Sequence, residues 1–430
     1  MSRKKIAALS LGCKVNDYDT RALLSAFLNK GYDIGDFNES ADVYLINTCT
    51  ITALSSKKSR QMIRRAKKNN PNAIVIASGC YSQTAPEEVA ALDEVNIIVG
   101  TTNRANLADI TENYRGNKPV SRVVSGYTKI FEELETNSTA SKTRAFLKIQ
   151  DGCDCFCTYC IIPYARGPAR SRLKENILAE AQIIAERGHK EIVLTGIHIS
   201  SYGKDFASGG LGNIINEINA VESVERIRLS SLEPGIISPG FLEEISYAHK
   251  LCPHFHLSLQ SGSDKILRKM NRSYTTQDFR EAVEALRRFN PDVGLTTDII
   301  AGFPGETYDD FIATLDFVKE IGFSQCHIFP YSPKKGTPAH DFEGQIGAAV
   351  KKERAAILKD LAKTEQNKFI TGFLGKTLKV LYEKRLNNGM YEGYSENYIK
   401  VQSAEGKENT ITDTCITDIK EDIAFGAAFK

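Results

Sequence analysis

Four cysteines fall within eight residues directly after the apolar run Ala145 to Gln150, and three of them, Cys153, Cys157 and Cys160, keep a familiar ligand spacing. A strand that empties into so thiol-rich a loop has to be organised around something that binds sulfur. The spacing Cys-x3-Cys-x2-Cys supplies three thiolates, enough for three irons of a 4Fe-4S cluster, and leaves the fourth iron open. A zinc knot would pair two Cys-x2-Cys units, and no partner pair follows. Cys155 lies inside the loop and fits a different spacing; it reads as a thiol that is not a ligand.

Three further cysteines are isolated in sequence but equivalent in context. Ile6 to Leu11, Val43 to Ile46 and Ala73 to Ala77 are apolar runs that lead into Gly12-Cys13, Thr48-Cys49 and Gly79-Cys80, and Ile97 to Val99 is a fourth such run. Amphipathic stretches separate them, so the segment reads as a parallel α/β sheet. Ligands collect beyond the carboxyl ends of such strands, so Cys13, Cys49 and Cys80 are expected to converge on one crevice. The small residue before each lets the backbone approach a bulky inorganic group.

At 430 residues the chain should hold two or three domains. No apolar run approaches the roughly 20 residues that cross a bilayer, so no membrane is expected. The stretch from Ser2 to Cys13 superficially resembles a lipoprotein signal, but its apolar part is short and Ser10 interrupts it. Ten cysteines without an export signal point to a reducing compartment, the cytoplasm. Net charge is +2, which neither demands nor excludes nucleic acid. Locally the balance is sharper, because no acidic residue stands between Asp42 and Glu87. Lys57, Arg60, Arg64 and Lys68 there share one face of a predicted helix and are candidates to grip phosphates.

Residues 1–132 therefore form the expected first domain, and the polar segment 133–143 a linker. From 144 to 370 the β/α alternation resumes, with strands at Ala145 to Gln150, Glu191 to Thr195, Arg226 to Ser230, His254 to Leu259, Val293 to Ile300 and Ser324 to Tyr331. Helical patterns at Lys174 to Arg187, Phe241 to Ala248, Thr276 to Phe289 and Asp309 to Ile321 separate most of them, and Lys351 to Phe369 leads out. Six such units predict a partial (β/α)6 barrel with its site at the carboxyl ends of the strands. Residues 371–430 turn β-rich, with Asn387-Asn388-Gly389 and Gly393 as breaks, as in a small all-β barrel. Cys252, Cys326 and Cys415 read as ordinary buried thiols.

These motifs resemble the radical S-adenosylmethionine (SAM) superfamily, in which an aromatic residue, here Tyr159, precedes the last cysteine. Over nearly its full length the chain resembles the methylthiotransferases. The resemblance rests on Ser10-Leu11-Gly12-Cys13-Lys14-Val15-Asn16, Asn47-Thr48-Cys49, Ser78-Gly79-Cys80, Ile161 to Gly167, Arg170-Ser171-Arg172 and Thr195-Gly196-Ile197-His198. Ser231 to Pro234, Ser258 to Ser263, Met270-Asn271-Arg272 and Gly302 to Thr307 extend it, and Gly393 to Tyr398 resembles the TRAM domain these enzymes use on RNA. Gly12-Cys13-Lys14-Val15-Asn16 and the run His327 to Pro333 look most like the branch that acts on threonylcarbamoyladenosine in tRNA.

The resemblance implies two 4Fe-4S clusters, an auxiliary one on Cys13, Cys49 and Cys80 and a radical SAM cluster on Cys153, Cys157 and Cys160. It implies that Tyr159, Gly196, Glu233 and Gln260 lie near SAM, with Glu233 suited to ribose hydroxyls. Arg272 would contact the cofactor or cap a turn. Arg166, Arg170 and Arg172, which follow the radical loop, are expected to meet RNA together with Arg64 and Lys68. The last domain, with 8 basic and 9 acidic residues from Lys376 onward, would have to recognise RNA by shape.

The implied reaction uses two molecules of SAM, one to methylate sulfur at the auxiliary cluster and one to generate a 5′-deoxyadenosyl radical that takes hydrogen from carbon 2 of the modified adenine. Its partners would be the tRNA anticodon stem-loop and a reducing electron donor, and the enzyme is expected to be a monomer. The competing expectations are methylthiolation of isopentenyladenosine or of a ribosomal-protein aspartate, and, from another class, a non-catalytic iron-sulfur sensor that binds RNA.

Overall fold

A computed structural model describes the chain except for residues 1–2, 117–118, 125, 127, 135–142, 208 and 429–430. Strands β1 (Lys5–Ser10), β2 (Asp33–Ile34), β3 (Val43–Thr48), β4 (Ile74–Gly79), β5 (Ile97–Ile98) and β6 (Val120–Ser121) form one sheet in the order β2-β1-β3-β4-β5-β6. Every neighbouring pair is parallel. All six residues of β3 are buried, as a central strand covered on both faces requires. Tyr44, Ile46, Val75 and Ala77 fill one face of the sheet, and Val43, Leu45, Ile76 and Phe27 the other. The edge strands β2 and β6 are two residues long, too short to leave a periodic signal in sequence.

After Gly12, Cys13 caps the amino end of helix α1 (Lys14–Asn29). Cys49 directly follows β3 and leads towards α2 (Ala53–Asn69), and Cys80 is the first residue of α3 (Cys80–Thr84). All three thus stand at the carboxyl end of a parallel strand.

The central part is built from β7 (Arg144–Lys148), an antiparallel pair β8 (Gln150–Asp151) and β9 (Arg170–Ser171), and then β10 (Glu191–Thr195), β11 (Arg226–Leu229), β12 (His254–His256), β13 (Gly294–Ala301) and β14 (Gln325–Pro330). Two parallel three-stranded sheets, β11-β10-β7 and β12-β13-β14, are joined by parallel bridges at Ile227–Leu251 and Leu232–Leu257. The result is the expected open six-stranded barrel, with one core running through it. A helix at Leu211–Asn219 between β10 and β11 was not anticipated; the glycines that start it obscure its pattern. The β8–β9 pair closes the base of the thiol loop. Gly152 makes that closure possible, since at φ +74° a Cβ there would lie 1.9 Å from the Pro168 carbonyl oxygen.

Strands β15 (Thr377–Arg385), β16 (Tyr391–Ser395), β17 (Lys400–Ser403), β18 (Thr410–Lys420) and β19 (Ile423–Ala428) close a barrel in the order β15-β16-β17-β19-β18. It seats on the amino ends of the central strands. Arg228 donates to the Glu396 carbonyl at 2.9 Å and Arg226 to that of Lys379 at 3.1 Å, while Arg144 and Arg228 lie over the Tyr394 and Tyr398 rings at 4.7 and 4.8 Å.

Two expectations change. Most of the linker 133–143 lies outside the described residues, but Glu133 is ion-paired to Arg172 and Leu134 is buried in the first domain, so packing continues past residue 132. Of the three ordinary thiols, Cys252 is buried, whereas Cys326 and Cys415 are half-buried.

Candidate functional site: two thiol triads joined by a buried ion network

Cys13, Cys49 and Cys80 come together electrostatically: Cys13 acts on Cys49, and both act on Cys80. Gly12, at φ +104°, permits this, because a Cβ there would stand 2.8 Å from the Cys49 sulfur. Burial raises the Cys49 thiol and pushes that of Cys80 up to about 11 against the pull of the neighbouring Arg166 guanidinium. Such thiols stay protonated when free and release protons when they bind metal. They are unbridged, small-residue-flanked and confronted by a fixed cation, and this fits an anionic thiolate-bound cluster.

The loop after β8 holds the second set. Cys153 N–H donates to the Gly167 carbonyl at 3.0 Å, and Ile162 N–H lies 3.4 Å from the Cys160 sulfur. Arg272 donates to the Cys157 sulfur at 3.2 Å. Burial pushes Cys160 up to about 12 and also raises Cys157. Cys155 sits beside Cys153, to whose sulfur its N–H donates at 3.5 Å, and its own sulfur lies 4.0 Å from the His198 ring nitrogens and 3.9 Å from Glu233. Its sulfur, that of Cys153 and a His198 nitrogen all lie within 4.8 Å of one another, so Cys155 and His198 belong to the site although neither falls in the three-cysteine spacing.

The residues that resemblance puts near SAM gather around this loop. Glu233 forms an ion pair with Arg272 at 2.9 Å and lies 3.4 Å from His198. Arg272 therefore does not cap a turn; it ties Glu233 to Cys157. Burial alone would lower the His198 pKa, but Cys155 and Glu233 beside it more than offset that and hold it up at about 9. Gln260 sits at φ +69° between β12 and β13, its N–H bonded to the Asp298 carbonyl. Gly196 leaves no room for a side chain, since a Cβ would meet Ile199 at 2.8 Å and Gln150 at 2.9 Å. Tyr159 packs edge-on against Phe303, with ring centroids 6.4 Å apart.

The arginines after the loop are not an RNA surface. Arg166 and Arg170 are buried and Arg172 is 5% exposed. Arg166 binds Asp151, Asp19 and Asn16; Arg170 binds Asp151; Arg172 binds Glu133 and Glu180. Asp19 also meets Arg104 and Lys148, each at 2.9 Å, and Lys148 reaches Asp151 at 2.7 Å. With Glu132 on Arg104, four cations share three carboxylates, and Arg166 spends the remaining charge beside Cys80. These guanidiniums brace the first domain against the barrel, a role that a sequence run of arginines cannot distinguish from a surface patch. Arg64 and Lys68 do stay exposed on α2, Arg64 with a loose partner in Glu94 at 3.7 Å, whereas Arg60 turns to the Tyr81 hydroxyl. Two aromatics that sequence reading passed over, Phe156 and Tyr164, stack edge-on in the thiol loop while 50% and 43% exposed.

A cavity of about 490 Å³ runs between the central and terminal barrels, lined among others by Lys14, Arg228, His256, Asp298 and His327 and, from the terminal barrel, by Tyr394 and Tyr398. Its wall includes Lys14, next in the chain to Cys13, and Ser231, two residues before Glu233, and the carbonyl of its Asp298 accepts from Gln260.

Comparison with known proteins follows the same division of the chain. Residues 147–318 match the radical SAM superfamily, and residues 5–100 match an uncharacterized protein family, UPF0004. The chain is 41% identical to the threonylcarbamoyladenosine tRNA methylthiotransferase MtaB of Bacillus subtilis, over 92% of this chain and 89% of that one. It is also 41% identical to the Aquifex aeolicus enzyme of that name, over 94% and 98%. The tRNA-2-methylthio-N(6)-dimethylallyladenosine synthase of Geobacillus kaustophilus is 36% identical, over 91% and 76%. Among solved structures, the radical SAM methyltransferase TsrM of Kitasatospora setae shares the fold, with a TM-score of 0.57 at 16% identity over 79% of this chain and 75% of that one. No helix among the described residues is long and apolar enough to cross a membrane.

Proposed function

The chain belongs to the radical SAM tRNA methylthiotransferases, and from that premise we propose that it adds a methylthio group to carbon 2 of N6-threonylcarbamoyladenosine next to the anticodon. The observation that carries this reading is the pair of thiol triads, each beyond the carboxyl ends of parallel strands, with Arg166 paired both to Asp19 of the first domain and to Asp151 at the base of the radical loop. Relatives with the threonylcarbamoyl substrate in their name supply the choice of base.

Cys13, Cys49 and Cys80 would hold the auxiliary 4Fe-4S cluster, and Cys153, Cys157 and Cys160 the radical SAM cluster. When bound, the clusters and SAM supply the electron, the radical and the sulfur that the insertion needs. The carbon 2 hydrogen is too weakly acidic for any side chain to remove as a proton, so a radical is required. The protein's own groups bind, orient and neutralise. Arg272 donates to Cys157 and holds the Glu233 carboxylate in place for ribose hydroxyls, Tyr159 walls the adenine side, and Gly196 keeps the strand end clear for the cofactor. Arg166 offsets negative charge on the auxiliary thiolates.

RNA would approach over α2, where Arg64 and Lys68 are free to meet phosphates, with the exposed Phe156–Tyr164 pair at the thiol loop to receive a splayed base. The terminal barrel would serve as a TRAM-type RNA module, and a single chain with an external one-electron donor in the cytoplasm completes the proposal. The test is mass spectrometry of tRNA nucleosides after incubation of the reconstituted enzyme with tRNA that carries or lacks the threonylcarbamoyl group. Equal modification of both, or modification only of dimethylallyladenosine or of ribosomal protein, would refute the substrate. Absence of SAM cleavage in fully reconstituted protein would leave only an iron-sulfur RNA-binding sensor.

A further inference from the structure

We propose that the cavity between the two barrels receives the appendage on the adenine N6 and that Lys14 binds the carboxylate of that appendage. The inference rests on the substrate reading above and deepens it by assigning the group that reads the substrate.

The walls of the cavity are polar where a substrate would lie. His256 is fixed by a bond from Nδ1 to the Thr296 hydroxyl at 3.0 Å, and its Nε2 faces Asp298 at 3.3 Å. His327 stacks on His256 with centroids 6.0 Å apart, and ligating atoms of the two histidines and Asp298 all lie within 4.8 Å of one another. A dimethylallyl group pushed among them would strip water from these polar atoms and return no hydrogen bond. A threonylcarbamoyl group carries a carboxylate, a hydroxyl and N–H groups, which match a cation, imidazoles and a carboxylate in turn.

Two lysines on the wall have no carboxylate partner among the described residues, Lys14 and Lys400, and of these Lys400 belongs to the terminal barrel, which seats on the amino ends of the central strands. Arg228 is held by both oxygens of Glu191, and Arg144 by Glu383 and Glu191, so both guanidiniums already have carboxylate partners. Lys14 forms an ion pair with no carboxylate among the described residues, and its side chain is open to the cavity although the amino end of α1 is packed against the barrel. An unpaired ammonium projecting into an enclosed polar space is where an anionic group would gain most, because water screens it less there than at the surface.

Position supports the same conclusion. Lys14 adjoins an auxiliary-cluster residue, and the upper wall adjoins Glu233 and Gln260, so a base held at the thiol sites has this cavity beside it for its N6 substituent. Gly12 to Asn16 and His327 to Pro333, the two stretches that resemble the threonylcarbamoyladenosine branch, lie far apart in the chain. The fold brings their polar members Lys14 and His327 to one cavity.

The experiment measures affinity of the cluster-loaded enzyme for three anticodon stem-loop RNAs: one with threonylcarbamoyladenosine, one with its carboxylate converted to the amide, and one with dimethylallyladenosine. Wild-type enzyme should bind the acid at least about tenfold more tightly than the amide, the size of one charge-assisted hydrogen bond. Lys14→Met should erase that ratio and Lys14→Arg restore part of it. Should wild type bind acid and amide equally, or should Lys14→Met keep the full ratio, the inference is overturned. Should Lys14→Met fail to fold, Lys14→Gln, which keeps a polar side chain without the charge, takes its place: it too should bind acid and amide alike, and a retained ratio overturns the inference. A wild-type preference for the dimethylallyl RNA would instead overturn the substrate reading itself.

Discussion

Arg166 and Asp19, fully buried and drawn from different domains, pair at 3.1 Å directly behind the auxiliary thiols. The same guanidinium holds Asp151, the residue at which the radical loop begins, at 3.0 Å. One side chain thus sets the relative position of the two triads, and its charge is required twice, once by the carboxylates and once beside Cys80.

Replacing Arg166 by Met should therefore leave Asp19 and Asp151 under-compensated in the interior. Removal of one partner from a buried ion pair costs about 3–5 kcal/mol. Denaturant unfolding of the apo protein should show that loss, and iron analysis after reconstitution should fall towards one cluster per chain. A variant with wild-type stability and full iron content would show that the network does not brace the site.

Cys157→Ala should abolish reductive cleavage of SAM, whereas Cys155→Ser should retain the full iron content of the loop, since Cys155 falls outside the three-cysteine spacing and its sulfur already meets His198 and Glu233. Iron and sulfide analysis with 5′-deoxyadenosine measurement separates the two. Loss of the cluster in Cys155→Ser would make Cys155 a ligand.

For RNA, Phe156→Ala should weaken stem-loop binding by about 1–3 kcal/mol if a base stacks there. Arg64→Gln and Lys68→Gln should each lower the salt dependence of binding, whereas Arg172→Gln should lower the melting temperature and leave the salt dependence unchanged, because Arg172 faces Glu133 and Glu180. Affinity measured across a salt series, with thermal melting of Arg172→Gln beside it, checks all four.

Acid should loosen the seat of the terminal barrel. Burial by itself would raise the pKa of Glu191, but Arg228 and Arg144 overcome it and hold the carboxyl at about 2. A folded pKa below the unfolded one means that the stabilisation is present in full above the unfolded value of about 4.3 and is lost as pH falls towards 2. The melting temperature should drop through that window, and Glu191→Gln should flatten the drop. An unchanged profile would show that Glu191 titrates alike in both states.

The thiol triads and the order of β/α units were legible in the sequence because both are local. A Cys-x3-Cys-x2-Cys spacing needs only one loop, and a strand that ends in glycine and cysteine needs only the knowledge that ligands gather at strand ends. By itself the sequence thus determined the fold class, the six thiols and the residues Glu233 and Gln260 at strand ends. It could not tell a solvated arginine from a buried one, and so misread Arg166, Arg170 and Arg172. Their partners Asp19, Glu133, Asp151 and Glu180 lie on other elements, and burial is a property of the packed whole. The same holds for Lys14, His256, Asp298 and His327. Lys14 and His327 stand in stretches the sequence singles out and His256 and Asp298 do not, but only closure of the barrel against α1 gives the four a common cavity. Local chemistry follows from the order of residues, whereas the electrostatic environment of a charged side chain depends on groups that only the tertiary structure brings near.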